Sequence, residues 1–381
     1  MTINNEHKKL NVPNLRFPEF QGEWEKKRLE ECVEFLDGLR KPIKSEDRKS
    51  EQGLYPYYGA SGIIDYIDGY IFDGEYILLS EDGANIIDRN YRVAFIAKGK
   101  IWVNNHAHVL QPYDGFDINF LSETLERLNY AVYNTGTTMP KLNQEVCRNI
   151  NLKIPTTKEQ NKIGNLLSLL NKRIATQNKI IEDLKKLKSA IIEKLYKGIQ
   201  GTWYSYRQLF SIINERNKQL EYSNVLSASQ ERGMVSREDL NLDIHFERSN
   251  ISTYKIVKNG DYVIHLRSFQ GGFAFSEKTG ICSPAYTVLR PNNLLVYGYL
   301  SNYFTSRDFV KSLIIVTYGI RDGRSINVDE WLDMKVVIPS KEQQTHIANV
   351  IESIENKIKN EETYSNCLLN QKQYLLRQMF I

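Results

Sequence analysis

A long helical segment that occurs twice constrains this 381-residue chain more than any other feature. The first copy follows Ile154-Pro155 and covers residues 157–198, and the second follows Ile338-Pro339 and runs to Ile381. The copies align without a gap at an offset of 184 residues, which is the difference between 338 and 154. A repeat at a fixed offset predicts a tandem duplication of the whole chain.

Both copies carry an apolar stripe with heptad spacing, which is typical of a coiled coil. The stripe consists of Ile163, Leu167, Leu170, Ile174, Ile181, Leu184, Ile191 and Leu195, and then of Ile347, Ile351, Ile354, Ile358, Leu368, Leu375 and Met379. Polar residues interrupt it at Gln177, Lys188, Glu361, Ser365 and Lys372. We predict that the two helices pair antiparallel and that the polar positions fix their register. The alternative is that each helix packs separately on its own domain.

The segments before the helices alternate short apolar runs with Gly, Asn, Asp and Pro, which indicates strands and turns. Strands are predicted at residues 69–72, 76–79, 91–97, 101–103 and 109–110, and a helix at residues 118–133. The second region aligns with the first through Trp24 and Trp203, Arg28 and Arg207, Gly74 and Gly260, Tyr76 and Tyr262, residues 109–112 and 288–291, residues 121–122 and 300–301, and residues 142–143 and 326–327.

This pattern predicts an α+β fold with a pseudo-twofold internal duplication. Two tandem globular domains are joined by two long helices that form an antiparallel coiled coil. The predicted division is residues 1–155 for the first domain, 156–200 for the first helix, 201–339 for the second domain and 340–381 for the second helix.

Composition favours a cytoplasmic protein with reduced thiols. The chain is 41% hydrophobic, no apolar run approaches the roughly 20 residues of a membrane span, and no leader peptide is recognisable. The four cysteines, Cys32, Cys147, Cys282 and Cys367, lie far apart and form no CxxC pair, so neither a zinc ribbon nor a disulfide framework is expected.

No motif predicts catalysis, a cofactor or a metal. The phosphate-binding GxxxxGK[ST] loop is missing. Residues 283–286, Ser-Pro-Ala-Tyr, are similar to the [DNS]PP[YFW] motif of amino-methyltransferases, but the second proline is lost and no glycine-rich turn for a methyl donor is found. His106 and His108 alternate along a predicted strand or loop, so their rings point to opposite sides, and no companion ligand completes a metal site.

The loops of both domains are rich in groups that can contact bases and phosphates. In the first domain these residues are Arg40, Lys41, Lys44, Tyr57, Tyr58, Ser61, Asn104, Asn105, His106, Thr137, Thr138 and Lys141. In the second domain they are Ser227, Ser229, Gln230, Arg232, His265, Arg267, Ser268, Gln270, Tyr286, Tyr318, Arg321 and Arg324. Their recurrence at equivalent places in two duplicated domains favours a DNA-binding surface.

The chain resembles the specificity subunits of type I restriction-modification systems over nearly its whole length. The matching features are residues 15–20, Leu-Arg-Phe-Pro-Glu-Phe, the Lys-Glu-Gln that opens each helix at 158–160 and 341–343, residues 280–286, and residues 136–143. The resemblance implies two target recognition domains that each read one half of a bipartite, asymmetric site in double-stranded DNA. It also implies that two methyltransferase subunits dock on the coiled coil and that motor-nuclease subunits join through them.

The function predicted from the sequence is therefore a non-catalytic DNA reader that directs adenine methylation and restriction by partner subunits. Residues 104–108 of the first domain differ from residues 283–286 of the second, so the two domains are predicted to read different half-sites. A structural adaptor with protein-binding domains is the alternative from another class, and an autonomous methyltransferase is the enzyme alternative. The half-site sequences and their spacing do not follow from the sequence.

Overall fold

The computed structural model describes residues 11–48, 53–229, 232–240, 248–265, 272–318 and 325–381. The chain divides into two compact units. Unit 1 comprises Met1–Asn178 and Tyr364–Ile381, and unit 2 comprises Lys179–Thr363. Each unit therefore combines one globular domain with parts of both long helices. The four-segment division of the chain stays a prediction.

Unit 1 is built on a six-stranded sheet. The strands of unit 1 are β1 (Glu25–Arg28), β2 (Val33–Phe35), β3 (Tyr55–Gly59), β4 (Gly62–Ile67), β5 (Phe72–Ser80), β6 (Ala94–Val103), β7 (Ala107–Pro112) and β8 (Asn151–Ile154). Its helices are α1 (Asn85–Asp88), α2 (Ile118–Glu126), α3 (Gln144–Arg148) and the first part of α4 (Thr157–Tyr196). The sheet order is β2-β7-β5-β6-β3-β4, and β1 pairs with β8. Only β3 and β6 run parallel among these described pairs.

Unit 2 contains smaller sheets. Its strands are β9 (Thr202–Ser205), β10 (Phe210–Ile213), β11 (Leu226–Ser229), β12 (Gly233–Ser236), β13 (Lys255–Val257), β14 (Tyr262–Ile264), β15 (Phe273–Phe275), β16 (Gly280–Cys282), β17 (Thr287–Pro291), β18 (Thr317–Tyr318), β19 (Ser325–Ile326) and β20 (Lys335–Ile338). Its helices are α5 (Tyr206–Leu209), α6 (Tyr299–Tyr303), α7 (Arg307–Ser312), α8 (Val328–Asp333) and most of α9 (Lys341–Gln378). The strand order β10-β17-β14 repeats the order β2-β7-β5 of unit 1.

The two long helices are confirmed, and they pair antiparallel in each unit. In unit 2, Lys185 Nζ lies 2.8 Å from Glu362 Oε1 and Lys188 Nζ lies 2.5 Å from Glu355 Oε1. Residue numbers therefore rise along α4 as they fall along α9. In unit 1, Ile163 near the start of α4 shares a core with Met379 near the end of α9, which gives the same direction. Ile163 and Leu167 share a core with Leu375 and Met379, and Ile347 and Ile351 share one with Leu195, in each case together with residues of the globular domain.

Polar side chains at the helix entries confirm the duplication. Gln160 Nε2 donates to Pro155 O at 2.9 Å, and its Oε1 accepts from Asp117 N at 3.1 Å. Gln344 occupies the equivalent place, since its Nε2 donates to Pro339 O at 3.0 Å and its Oε1 accepts from Val296 N at 2.8 Å. Both side chains are buried. The glutamine of each helix opening thus ties the helix to its globular domain.

The predicted match between Trp24 and Trp203 is wrong. β8 and β20 end at the equivalent residues Ile154 and Ile338. Ile154 lies opposite Glu25 in unit 1, and Ile338 lies opposite Thr202 in unit 2. Trp24 comes one residue before Glu25, whereas Trp203 comes one residue after Thr202. Trp24 is accordingly 3% exposed in the core and Trp203 is 65% exposed. Arg28 and Arg207 are mismatched by the same shift of two residues.

The predicted match between Tyr76 and Tyr262 is wrong by one residue. Ile77 lies opposite Leu110 in β7, and Tyr262 lies opposite Leu289 in β17. A shift of one residue moves a side chain to the other face of its sheet. Tyr262 accordingly packs in the main core of unit 2, as Ile77 does in unit 1, while Tyr76 packs on the opposite face.

The helix predicted over residues 118–133 ends early. The α-helix stops at Glu126, and residues 130–133 form a separate 3-10 turn. Asn129 caps that turn by accepting a hydrogen bond from Ala131 N at 3.1 Å. This hydrogen bond satisfies a backbone N–H group at the start of the turn. It therefore favours a new turn over continuation of the preceding helix.

Candidate nucleic-acid interface

Four loop segments of unit 1 surround an open concavity of about 520 Å³. They contribute residues 59–61 between β3 and β4, residues 82–85 after β5, residues 90–91 before β6, and Asn104 and His106 between β6 and β7. Backbone hydrogen bonds hold these segments together, including Glu81 N to His106 O at 2.8 Å. Ser80 Oγ also donates to Ala60 O at 2.6 Å. The loops therefore form one continuous surface.

Several predicted reading residues lie exposed on or beside this concavity. Ser61 and Asn105 are exposed, and the ring of His106 is half-exposed with Nδ1 2.9 Å from the Asp82 carboxylate. Thr137 and Thr138 are exposed on a loop that reaches the same surface, because Gly83 N donates to Pro140 O at 3.0 Å. The structure thus brings together three of the loops that the sequence singled out separately.

The lysines predicted to contact DNA are also accessible. The side chains of Lys44 and Lys141 are 78% and 48% exposed, and Lys41 is exposed as well. Lys141 Nζ lies 3.4 Å from Glu81 Oε1, so its charge is partly balanced. Tyr58 is intermediate in exposure, and burial raises the pKa of its hydroxyl above the usual value. These cations suit contacts with phosphate.

Three predicted reading residues instead form internal contacts. Arg40 donates from Nη1 to Glu81 Oε2 at 2.7 Å and to Ala107 O at 2.8 Å. Tyr57 is 2% exposed, and its hydroxyl accepts from Ile43 N at 2.9 Å. Asn104 is 5% exposed, and its Oδ1 accepts from His106 N at 2.8 Å. These side chains hold the loops in place, and contact with a base would require the loss of these hydrogen bonds.

A buried polar network lies beneath the concavity. His108 is 1% exposed, with Nδ1 2.7 Å from Asp37 Oδ2 and Nε2 2.8 Å from Leu142 O. Burial opposes the charged imidazole, but the interactions of the ring with Asp37 and Cys147 together outweigh it and raise the pKa of His108 to about 10. Burial also opposes charge on Asp37, whose pKa is nevertheless lowered by His108. Protonated His108 therefore neutralises this network.

The same network contains a possible metal-ligand triad but does not suit a cation. Asp37, Glu81 and His108 offer ligand atoms within 4.8 Å of one another. However, the Arg40 guanidinium lies 2.7 Å from Glu81 Oε2 and 3.5 Å from Asp37 Oδ2. A metal ion would meet two positive groups, the Arg40 guanidinium and the protonated His108 ring, which already contact these carboxylates. We assign no metal here.

In unit 2, predicted reading residues lie on a hairpin and on a neighbouring turn. Ser227 is 9% exposed and accepts from Arg237 Nε at 3.3 Å, while Ser229 Oγ accepts from Arg232 N at 3.3 Å across the hairpin turn. Arg232 is exposed. The hairpin packs closely on β15, because a Cβ atom on Gly233 would approach Phe275 O to 2.4 Å.

His265 and Tyr286 form a second cluster in unit 2. Their ring centroids are 6.1 Å apart, and burial lowers the pKa of His265 below its usual value. Tyr286 lies in a turn closed by its N–H to Ser283 O at 3.1 Å. Lys255 Nζ donates to Tyr286 O at 2.7 Å and fixes the turn from below. The Ser-Pro-Ala-Tyr segment is thus part of the domain surface.

Other predicted reading residues lie outside the described residues. These are Gln230, Arg267, Ser268, Gln270, Arg321 and Arg324. Tyr318 is described only as the end of β18.

Sequence reasoning missed Asn85, Asn90 and Tyr91, which also line the concavity of unit 1. The strand predicted over residues 91–97 starts at Tyr91, whereas β6 begins three residues later at Ala94. The consecutive Asp88, Arg89 and Asn90 were the available signal, because Asp and Asn favour turns over strands. A turn there leaves Tyr91 exposed.

Two α+β domains repeated in tandem, with one long helix after each and the helices paired antiparallel, are also the architecture of a solved type I restriction-modification subunit. The S subunit of a type I restriction-modification system from M. genitalium has this fold, with a TM-score of 0.64 and 14% identity over 97% of this chain and 99% of that chain. A structure described for complex assembly of the type I restriction-modification system gives a TM-score of 0.54 at 12% identity, over 94% of this chain and 97% of that one.

Sequence comparisons agree. A family model, the type I restriction modification DNA specificity domain, matches residues 21–186. A type I restriction enzyme specificity subunit of Haemophilus influenzae is 27% identical over 355 residues, which are 87% of each protein. The MjaVIII specificity subunit of Methanocaldococcus jannaschii is 25% identical over 394 residues, covering 90% of this chain and 88% of that protein. The chain therefore matches the type I restriction modification DNA specificity domain in residues 21–186 and is similar to type I restriction enzyme specificity subunits over most of its length.

Among the residues that the structure describes, no helix is both long enough and apolar enough to cross a membrane.

Proposed function

We propose that this chain is the non-catalytic DNA reader of a type I restriction-modification complex. Each globular domain recognises one half of a bipartite, asymmetric site in double-stranded DNA, and the subunit directs adenine methylation and restriction by its partners. The observation that carries the proposal is the duplicated framework, in which Gln160 and Gln344 tie equivalent helix entries to two domains with different loops.

Two different half-sites follow from the different loop chemistry. Unit 1 offers Asn105 and His106 at an open concavity, whereas unit 2 offers His265 beside Tyr286 on a turn fixed by Lys255. Amide, imidazole and hydroxyl groups read base edges through hydrogen bonds, and each arrangement of donors and acceptors suits a different base sequence. The lysines at positions 41, 44 and 141 supply phosphate contacts that set register.

The partners are double-stranded DNA, two methyltransferase subunits and motor-nuclease subunits that join through the methyltransferase core. The outward faces of the paired helices support docking of the methyltransferases, because they carry exposed side chains such as Leu169 and Tyr374 beside charged residues. Catalysis belongs to the partners. Since the substrate is the cell's DNA, the proposed location is the cytoplasm.

Methylome sequencing tests the proposal directly. A host that lacks other methyltransferases receives this chain with its methyltransferase subunit, and we expect one asymmetric bipartite motif with methylated adenines. Deletion of the chain abolishes that motif. Methylation without any sequence motif would contradict the proposal.

Salt dependence separates a DNA reader from a structural adaptor. The logarithm of duplex affinity falls with the logarithm of salt concentration, with a slope near −0.9 for each phosphate contacted. Replacing an exposed phosphate-contacting lysine such as Lys44 by Ala reduces the slope by about 1 and leaves base preference unchanged. An adaptor shows no such dependence. An autonomous methyltransferase would transfer methyl groups when the purified chain is tested alone, and we expect no transfer.

A further inference from the structure

In unit 1, hydrogen bonds hold the exposed loop of residues 85–91, which consists of the short helix α1 and the turn after it. The Asn85 side chain binds both polar groups of the Tyr91 backbone, because Oδ1 accepts from Tyr91 N at 2.7 Å and Nδ2 donates to Tyr91 O at 3.1 Å. Tyr91 itself is 67% exposed. A side chain that clamps the backbone of an exposed tyrosine contributes nothing to the burial of that ring.

The far side of the loop is tied to α2. Arg89 has a φ of 57°, in the left-handed region that L-residues rarely adopt. Its guanidinium bonds Glu126 Oε1 at 3.0 Å, and Glu126 Oε2 accepts from Val93 N at 2.8 Å and Ala94 N at 2.9 Å. These contacts fix both ends of residues 89–94. A flexible surface loop loses conformational entropy when it binds a partner. A loop that already has its bound shape avoids that cost at the binding step.

The loop faces the predicted reading residues across the concavity of about 520 Å³. Asn85, Asn90 and Tyr91 lie in its lining together with Ser61 and His106. An exposed amide and an exposed aromatic ring therefore stand beside groups that already suit contact with base edges. The concavity is wide and open, which suits a duplex edge better than an enclosed small molecule.

The chemistry of Asn90 and Tyr91 points to an A·T pair. An asparagine amide can bind the N6 and N7 groups of adenine with two hydrogen bonds, and an aromatic ring can pack on the thymine methyl group. We propose that residues 85–91 form a base-reading loop, in which Asn90 and Tyr91 determine specificity for an A·T pair in the half-site of unit 1. Asn85 is a positioning residue. This inference rests on the proposed function and adds to it the loop and the base pair.

The test uses the assembled complex of this chain with its methyltransferase subunits. For the unaltered complex, the methylome gives the half-sites, and affinity is measured for the cognate duplex and for duplexes with each A·T pair changed to G·C. We expect Asn90→Ala to reduce discrimination at one A·T position by roughly 5- to 150-fold. Tyr91→Ala should relax the same or the adjacent position, and the other half-site and the spacer should stay unchanged.

Ile87→Ala is the matched control, because Ile87 is exposed in the same loop but does not line the concavity. It should leave discrimination unchanged. Asn85→Ala should weaken discrimination at the position read by Asn90, and Asn85→Asp should restore part of it because a carboxylate still accepts from Tyr91 N. A purely structural role for Asn85 would lower the midpoint of thermal unfolding without a change in base preference.

Two outcomes overturn the inference while the proposed function stands. One is an unchanged base preference in both Asn90→Ala and Tyr91→Ala with the bipartite motif intact. The other is a uniform loss of affinity for all duplexes, which would assign the loop to phosphate contacts. A complex without any bipartite motif would instead contradict the proposed function.

Discussion

His108 shows how one buried residue can make the stability of unit 1 depend on pH. Its ring is held between Asp37 and the Leu142 carbonyl, below the loops that surround the concavity. The folded chain favours the protonated ring, with a pKa raised from 6.5 to about 10. The stabilisation is therefore complete below about pH 6.5 and is lost as the pH rises towards about 10.

We expect His108→Gln to flatten this dependence. Urea unfolding of the unaltered chain and of the variant, measured at intervals from about pH 7 to pH 9, gives the free energy of unfolding of unit 1. The unaltered chain should lose stability more steeply, by a difference on the order of 1 kcal/mol per pH unit. Other groups that titrate are common to both proteins. Equal slopes would exclude His108 as the source.

Loss of the Phe380 side chain should destabilise unit 1 strongly. It is 4% exposed, stacks on Phe120 at 5.2 Å and meets Trp24 edge-on at 6.2 Å. Phe380→Ala should lower the free energy of unfolding by about 3–5 kcal/mol through lost contacts and a cavity. Leu369→Ala, at a 41% exposed position of α9, the helix that ends two residues before Phe380, serves as the control and should cost less than about 1 kcal/mol. Similar losses in both variants would contradict the role of this aromatic cluster.

The paired helices use the same lysine differently in the two units. Lys188 and Lys372 are equivalent, since their offset is again 184 (372 − 188). Lys188 pairs with Glu355 on α9, whose side chain is 44% exposed. The residue equivalent to Glu355 in unit 1 is the neutral Asn171, and Lys372 instead lies 3.3 Å from Glu123 Oε1 on α2, whose side chain is 3% exposed. The carboxylate that pairs with this lysine therefore belongs to the partner helix in unit 2 and to the globular domain in unit 1.

This difference predicts unequal costs for the same substitution. Glu123→Gln should destabilise unit 1 by about 3–5 kcal/mol, because it leaves Lys372 and Arg92 facing a buried neutral group. Glu355→Gln should cost unit 2 less than about 1 kcal/mol, because water screens that pair. Urea unfolding with a probe in each unit distinguishes the two. Adding Asn171→Glu to Glu123→Gln recreates the arrangement of unit 2 and should recover part of the loss; no recovery would exclude charge as the cause.

Local pattern predicted the long helices because heptad spacing extends over many turns, and α4 and α9 begin where the Ile-Pro segments end. It failed for features set by partners distant in sequence. The strand register that separates Trp24 from Trp203 depends on pairing with β8 and β20, and nothing in either local sequence encodes it. The break after Glu126 depended on a cap at Asn129 that the apolar spacing concealed.

The candidate site was predictable in composition but not in arrangement. Ser61 and His106 were singled out for residue type, and the structure places them at one concavity. Arg40 and Tyr57 have equally suitable side chains, but internal hydrogen bonds occupy them. Burial depends on the tertiary fold, so residue type alone could not separate readers from supports.

At the scale of the whole molecule, the proposed function predicts that helix length sets the spacing of the two half-sites. Because α4 and α9 pair antiparallel, both must lengthen together to keep their register. One heptad inserted after Asn178 and one after Thr363 adds about 10 Å of helix, equivalent to about 3 base pairs. Methylome sequencing should then show a longer spacer between unchanged half-sites.

A four-residue insertion near Thr176 in α4 alone is the contrasting variant. It displaces Asn178 from Ser365, whose Oγ donates to Asn178 Oδ1 at 3.0 Å, and it should reduce methylation in addition to changing the spacer. New half-site sequences in the paired-heptad variant would refute the idea that the helices act as a ruler.

The placement of residues 364–381 in unit 1 also governs the order in which the chain can fold during synthesis. Unit 2 is continuous in sequence and can close once residue 363 has left the ribosome. The first segment of unit 1 ends at Asn178, about 200 residues before Phe380 in the sequence. Trp24 and Phe120 can pack against Phe380 only after residue 380 has been synthesised. At 5–20 residues per second, that apolar surface stays open for roughly 10 to 40 s. The first domain to be translated is thus the last to be completed, and during that interval it is the part of the nascent chain most exposed to aggregation.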